Sequence, residues 1–162
     1  RGAEINTKFV KYNLIDHGFL LKLLGIGDST NSIVKELLVD NAADLVDKGS
    51  LTEMVAGLEL LKYMSPNERH DLYYWQNLTR GTVSEVDYVL SRGIDIVPME
   101  VKSGLRGSMA SLYVFMEKEH IKYAIRCSLE NFGEFVSPKG KKILVNPLYA
   151  ISNLFSCGER LL

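Results

Sequence analysis

The spacing of apolar residues along the first part of the chain is helical. Apolar positions recur at helical spacing over residues 14–24 and again over 33–46, which predicts a helix and then one or two shorter ones. Over residues 51–64 they recur at spacings of three and four, which predicts a half-buried helix. Ser50 suits the N-cap of that helix, and Glu53 stands at its capping-box position.

From Leu72 onward the apolar pattern changes to a period of about two, which is typical of strands. The aromatic run 72–75 is strand-like, and residues 85–90 alternate clearly. A turn at 91–93 then leads into a predicted return strand over 94–102. Within that strand, Pro98 marks a bulge or a position without a ladder hydrogen bond.

The last third of the chain adds a crossover to this hairpin. Residues 108–119 form a predicted amphipathic helix and 123–127 a short strand, so a right-handed parallel crossover is expected. A strand over 143–145 and a helix-like segment over 147–155 follow. The predicted fold class is therefore α/β with α+β character, in which a helical first part precedes a mixed sheet.

Composition narrows the class of protein further. The 162 residues are 46% hydrophobic and 24% charged, which excludes intrinsic disorder. The chain has no run of about 18 apolar residues, so no membrane span is expected. A signal peptide is not expected, and the apolar surroundings of Cys127 and Cys157 indicate buried free thiols. A cytoplasmic location is therefore predicted.

Charge is unevenly distributed. Residues 1–100 carry 10 Lys and Arg against 15 Asp and Glu, whereas residues 101–162 carry 9 against 5. Nucleic-acid-binding proteins usually have a basic footprint, which the whole chain, with a net charge of −1, lacks, although its second half, with a net charge of +4, could have one. Tight unspecific DNA binding is therefore not expected.

The predicted hairpin gathers acidic side chains. Alternate residues of a strand share a face, so Glu85 would lie with Asp87, and Glu100 with Lys102. Three carboxylates and one ammonium could then meet on one side of the sheet, and clustered carboxylate oxygens suit Mg²⁺ or Mn²⁺. The alternative is a solvated face with a cross-strand ion pair, worth about 0.2–1 kcal/mol.

These motifs resemble the C-terminal domain of prokaryotic AAA-type ATPases that is catalogued as a domain of unknown function, DUF4143. The most specific part is the pair Glu85-Val86-Asp87 and Glu100-Val101-Lys102. Upstream, Asp16-His17-Gly18-Phe19 is similar to the family's entry motif, with Phe19 in place of the usual Leu. The other matching positions are Trp75, Ser84, Pro98, Ser103, Gly104, Ser111, Leu112, Phe115, Arg126, Ser128, Asn131 and the segments 49–60 and 147–150.

The resemblance implies a restriction-endonuclease-like fold of the PD-(D/E)XK type. Residues 1–162 would then be a single domain at the C-terminal end of a longer ATPase, with a helical part over 1–70 and a nuclease-like core over 71–162. The ATP site would belong to the N-terminal ATPase half, because this sequence contains no P-loop motif.

Site residues follow from the same resemblance. Asp87 and Glu100 would hold the metal, and Glu53 would be the carboxylate from the core helix. Lys102 would stabilise the attacking hydroxide or the charge that develops on phosphorus. Glu53 is explained equally well as a capping residue.

Three functions are therefore weighed. The first is Mg²⁺-dependent hydrolysis of DNA, with Mn²⁺ as a substitute. The second is a non-catalytic module that binds nucleic acid or protein and relays this to the ATPase domain. The third is a structural unit that supports packing or homo-oligomerisation.

Overall fold

A computed structural model of the chain contains two compact units, Arg1–Asn41 and Ala42–Leu162. The residues that the structure describes are 5–16, 18–19, 22, 48–64, 66–67, 71–79, 82–105, 107–118 and 120–155.

In the first unit, the described residues include the beginning of a helical segment. Gly18, Phe19 and Lys22 are helical, and Asp16 Oδ1 accepts a hydrogen bond from the Phe19 backbone N–H at 2.8 Å. A side-chain oxygen bonded to the N–H three residues later is an N-cap arrangement. This agrees with the helix predicted over 14–24, whereas the helices predicted over 33–46 lie outside the described residues.

In the second unit, a long helix is followed by strands, a shorter helix and more strands. The elements in chain order are α1 (Lys48–Tyr63), β1 (Trp75–Thr79), β2 (Thr82–Val86), β3 (Tyr88–Arg92), β4 (Asp95–Val101), α2 (Ala110–Met116), β5 (Tyr123–Ser128), β6 (Gly133–Val136), β7 (Lys142–Pro147) and a 3₁₀ helix (Leu148–Leu154). The mixed α/β class predicted from the sequence is confirmed, and so are α1 and the strand after α2.

Five of the strands form a mixed sheet in the order β3-β4-β5-β7-β6, while β1 and β2 form a separate antiparallel hairpin. β3 pairs with β4 antiparallel, and β5 lies parallel to both β4 and β7. The strand–helix–strand step from β4 through α2 to β5 is therefore parallel, as predicted. The carboxyl ends of β4, β5 and β7 consequently meet at one end of the sheet.

Apolar side chains cover both faces of this sheet. On one face, Leu60 of α1 and Ile151 of the 3₁₀ helix pack against Val97, Met99 and Ile125 of the strands. On the other face, the α2 residues Leu112, Phe115 and Met116 pack with Ala124 and Ile143 and with Val86 of the hairpin. Alternate strand residues point to opposite faces, so Glu100 and Arg126 belong to the α2 face.

The strand predicted over 85–90 is two strands. Val86 still pairs with Trp75 of β1, but Tyr88 pairs with Met99 of β4. Asp87 lies between the two strands, outside both ladders. Val86 packs on the α2 face while Tyr88 packs on the α1 face, so the chain changes sheet and face at Asp87. The period-two pattern continues through this break, which is why the sequence predicted one strand.

Two smaller differences concern the first strand and the last helical segment. Strand β1 begins at Trp75, not at Leu72, and the helix-like segment 147–155 is a 3₁₀ helix.

Pro98 stands inside β4 opposite Val89, and the Val89 N–H points away from β4 to Tyr73 O at 2.7 Å. Val89 and Pro98 thus form a pair without a ladder bond, as predicted for Pro98.

No helix in the described ranges combines the length and the hydropathy that a membrane-spanning segment requires.

Candidate metal centre

Asp87 joins the hairpin to the end of strand β4. Its Oδ2 accepts a hydrogen bond from the Val101 backbone N–H at 2.7 Å, and Val101 is buried. A carboxylate that accepts a bond from a backbone N–H forms one of the stronger hydrogen bonds in proteins. The bend between β2 and β3 is therefore fixed against the carboxyl end of β4.

Glu53 and Glu85 approach Asp87 from different elements. Glu53 lies on α1, whose position is set by a 2.7 Å hydrogen bond from Tyr88 Oη to the Glu53 carbonyl oxygen. Glu85 lies on β2, and Gln76 Nε2 of β1 stands 3.5 Å from its Oε2. One carboxylate oxygen from each of Glu53, Glu85 and Asp87 lies within 4.8 Å of the other two, and all three residues are half-buried.

Glu100 is the buried member of this acidic group. It is 6% exposed, and its Oε1 accepts a hydrogen bond from Lys102 Nζ at 2.6 Å. Its Oε2 is buried and has no hydrogen-bond partner among the residues that the structure describes. An unpartnered buried carboxylate oxygen costs desolvation energy, so it is a candidate position for a ligand contact.

The surroundings of Glu100 raise its pKa above the ordinary value of 4.5. Burial is the largest cause, and the charges on Glu53 and Glu85 raise the pKa further. The hydrogen bond and the positive charge of Lys102 act in the opposite direction. Two of the three clustered carboxylates, Glu53 and Glu85, therefore act electrostatically on Glu100.

The donor set fits a hard divalent cation. Mg²⁺ is bound through carboxylate oxygens and keeps several water ligands, and Mn²⁺ accepts the same donors. Glu53, Glu85 and Asp87 present oxygens close enough to share one ion, and Glu100, on which Glu53 and Glu85 act electrostatically, has a buried oxygen without a hydrogen-bond partner among the described residues. A cation here would also relieve the repulsion between carboxylates, which is why such clusters suit metals.

A comparison with known families identifies the chain at this point. The family model described as Domain of unknown function (DUF4143) matches residues 48–151. The chain belongs to this family. No curated protein and no solved structure matches it at a significant level. Every acidic residue of the candidate centre, and Lys102, lies inside the DUF4143 match.

The structure divides the four sequence-predicted residues of this DUF4143 chain into two groups. Asp87 and Glu100 were predicted as the metal ligands. In the structure Asp87 clusters with Glu53 and Glu85, while Glu100 forms an ion pair with Lys102. Glu85 was recognised as part of the acidic group but received no ligand role. The catalytic and ligand roles themselves stay predictions.

Sequence reasoning named Arg126 only as a position that matches the family and gave this buried arginine no role. Arg126 on β5 is in register with Glu100 on β4, so both lie side by side on the α2 face. Its Nε donates to Glu130 Oε2 at 2.7 Å, and its Nη2 donates to Leu105 O at 2.8 Å. A lone Arg inside the apolar strand Tyr123–Ser128 was the available signal.

Cys127, one of the two predicted buried thiols, is buried and forms no disulfide; Cys157 lies outside the described residues. Burial raises the pKa of the Cys127 thiol to about 12, although a hydrogen bond with Asn146 lowers it. The thiolate is the nucleophilic form of cysteine, so at neutral pH this thiol is inert.

Tyr88→Phe tests how α1 is fixed at the metal centre. We expect the free energy of unfolding to fall by about 1 kcal/mol, because the substitution removes the hydroxyl of the buried Tyr88, and the Glu53 carbonyl oxygen loses that hydrogen bond. Urea unfolding followed by the fluorescence of Trp75, the single tryptophan, measures this. Tyr149→Phe is the matched control, since Tyr149 is 79% exposed. Equal losses in the two variants would contradict the anchoring role.

Proposed function

We propose that the unit Ala42–Leu162 is a nuclease-like module that hydrolyses phosphodiester bonds of DNA with Mg²⁺ or Mn²⁺, at the C-terminal end of an AAA-type ATPase. The observation that carries the proposal is the cluster of three carboxylates from α1, β2 and the Asp87 bend, two of which act electrostatically on Glu100, the partner of the Lys102 ammonium. Carboxylates that hold a divalent cation beside a lysine are the components that such hydrolysis requires.

The order of elements supports the same reading. A helix, antiparallel strands, a crossover helix and a parallel strand follow one another, and the candidate residues lie on α1, at the Asp87 bend and at the end of β4. This resembles the PD-(D/E)XK arrangement, in which a helix carboxylate, an acidic residue and a Glu-x-Lys strand share one site.

Each side chain has a definite task under this proposal. Glu53, Glu85 and Asp87 would hold the cation, with Glu100 Oε2 next to them. A divalent cation supplies an activated water and neutralises charge on the phosphodiester. Lys102, held at 2.6 Å by Glu100, would place a fixed positive charge where negative charge develops on the phosphate oxygens.

Metal binding is tested by titrating Mg²⁺ and Mn²⁺ against the metal-free protein while thermal unfolding is followed by Trp75 fluorescence. Metal at 100 times its dissociation constant should stabilise the fold by about 2.7 kcal/mol. Asp87→Asn should abolish the shift, because the amide removes the charge while keeping an oxygen that can accept from Val101 N–H.

Glu59→Gln is the matched control for this titration. Glu59 lies on α1 like Glu53, but it pairs with Lys62 at 3.5 Å and is not one of the clustered carboxylates. We expect its metal response to equal that of the wild type. If wild type shows no shift at millimolar metal, or if Asp87→Asn shifts as much as wild type, the metal centre is refuted. A confirmed shift leads to cleavage assays on single- and double-stranded DNA and on RNA.

The ion pair between Lys102 and Glu100 favours a second candidate function. Because Lys102 Nζ already pairs with Glu100 Oε1, these charged side chains could serve as a fixed polar network in a non-catalytic module. Such a module would bind nucleic acid or protein and pass the signal to the ATPase domain. Its binding would persist in a metal chelator and in Asp87→Asn, whereas the nuclease proposal requires both to abolish cleavage.

A further inference from the structure

The loop between β4 and α2 passes directly over the Lys102 side chain. Gly107 in this loop has a φ of +156°, a backbone conformation that favours glycine. A Cβ at this position would stand 2.8 Å from Lys102 Cδ and 3.2 Å from Lys102 Cε. The glycine therefore lets the backbone lie against the aliphatic part of Lys102, and any larger residue would push that part aside.

The same loop is attached to the sheet by Arg126. The Arg126 side chain is 7% exposed, and its Nη2 donates to Leu105 O at 2.8 Å, two residues before Gly107. Glu130 fixes the guanidinium by accepting from Arg126 Nε at 2.7 Å. Ser128 Oγ in turn donates to the same Glu130 oxygen at 2.9 Å. The loop thus has a rigid attachment on strand β5, next to Glu100.

From these contacts we infer that Gly107 and Arg126 are positioning residues that keep the Lys102 ammonium on Glu100. Lysine has a flexible four-carbon stem, so an ammonium that must stand at one point needs its stem confined. Gly107 confines the stem, and Arg126 holds the loop that carries Gly107. The catalytic importance of this arrangement rests on the proposed function, but the arrangement itself can be tested without any activity.

The test observes the Lys102 ammonium in metal-free protein by a ¹H–¹⁵N correlation spectrum of lysine side chains. Ammonium protons held in an ion pair exchange slowly with water and therefore give a signal. The signal that is absent from the spectrum of Lys102→Arg is assigned to Lys102. We expect Gly107→Ala to shift this signal or remove it. Lys141 is the internal reference, because its Nζ donates to the backbone oxygens of Met116 and Lys118, away from this loop.

Gly104→Ala is the matched control in the same loop. A Cβ at Gly104 meets no atom within 4 Å, and Gly104 is not in the left-handed region, so the Lys102 signal should be unchanged. If Gly107→Ala also leaves the Lys102 signal unchanged, the inference is wrong. The backbone spectrum shows whether each variant is folded, and Gly107 is exposed, so its alanine variant disturbs no buried packing.

Arg126→Lys tests the attachment of the loop. Lysine keeps the positive charge but lacks the planar guanidinium whose separate nitrogens donate to Glu130 and to Leu105 O, so we expect the Lys102 signal to weaken. Glu130→Gln leaves Arg126 free to donate to Leu105 O and should affect the signal less. A larger effect of Glu130→Gln than of Arg126→Lys would overturn the role given to Arg126. If the wild type neither binds Mg²⁺ nor cleaves DNA, the proposed function is refuted. A change in the Lys102 ammonium signal in Gly107→Ala would still support this inference.

Discussion

Lys102→Met should lower the free energy of unfolding at neutral pH by about 3 kcal/mol, because it leaves a buried carboxylate without its partner. Glu100 is 6% exposed, its Oε1 loses the bond from Lys102 Nζ, and its Oε2 already lacks a donor among the described residues. If the proposed function holds, the same change should reduce cleavage by about 10²–10³, which is typical when one electrostatic group is lost. Urea unfolding at Trp75 and initial cleavage rates measure the two effects.

The stability loss should depend on pH in a defined direction. Burial already raises the pKa of Glu100, and removal of Lys102, which lowers it, raises it further. A carboxyl with a raised folded-state pKa favours folding while it is protonated, and that contribution disappears as pH rises through the folded-state pKa. Lys102→Met should therefore cost little at about pH 5 and progressively more toward about pH 8.

Lys122→Met provides the comparison for Lys102→Met. Lys122 Nζ stands 2.8 Å from Asp95 Oδ1, but its side chain is 64% exposed, so the ion pair is worth about 0–1 kcal/mol. Adding Glu100→Gln to Lys102→Met should recover much of the lost stability, since the side chain at position 100 then carries no charge. A Lys102→Met loss that is no larger than that of Lys122→Met, or that is the same at both pH values, would contradict the explanation.

How far the sequence predicts this fold depends on how local each signal is. Helix α1 was predicted over 51–64 and found at Lys48–Tyr63. The prediction succeeded because the spacing of three and four between apolar residues depends only on the residues of the helix itself. Strand pairing is not local. The alternation through Val86, Tyr88 and Leu90 is real, since all three are buried, but it does not reveal that Val86 pairs with Trp75 while Tyr88 pairs with Met99.

In the candidate site, too, the sequence predicts contacts between residues near each other in the chain but not contacts between distant residues. The i, i+2 rule placed Glu100 and Lys102 on one face, and they form an ion pair at 2.6 Å. The proximity of Glu53 depends on how α1 packs against β3 through Tyr88, which no short motif encodes. The contact of Gly107 with Lys102 was also hidden, because a glycine in a loop gives no sequence signal of what it approaches.

Leu60→Ala should lower the free energy of unfolding by about 3 kcal/mol and should also weaken the metal response. Leu60 is fully buried between α1 and the sheet, against residues such as Val97 and Ile125. Truncation leaves a cavity under the helix that carries Glu53, so Glu53 should be held less firmly beside Asp87. Urea unfolding at Trp75 measures the first effect, and the Mg²⁺ concentration at half-maximal thermal shift measures the second.

Leu61→Ala makes the same chemical change one residue further along α1. Leu61 is 39% exposed, so its truncation should change stability by no more than about 0.5 kcal/mol and leave the metal response as in wild type. If Leu60→Ala and Leu61→Ala destabilise the protein equally, α1 does not pack as the structure has it. If Leu60→Ala destabilises the fold without weakening metal binding, Glu53 contributes nothing to the centre, and the cation would depend on Glu85 and Asp87 with Glu100.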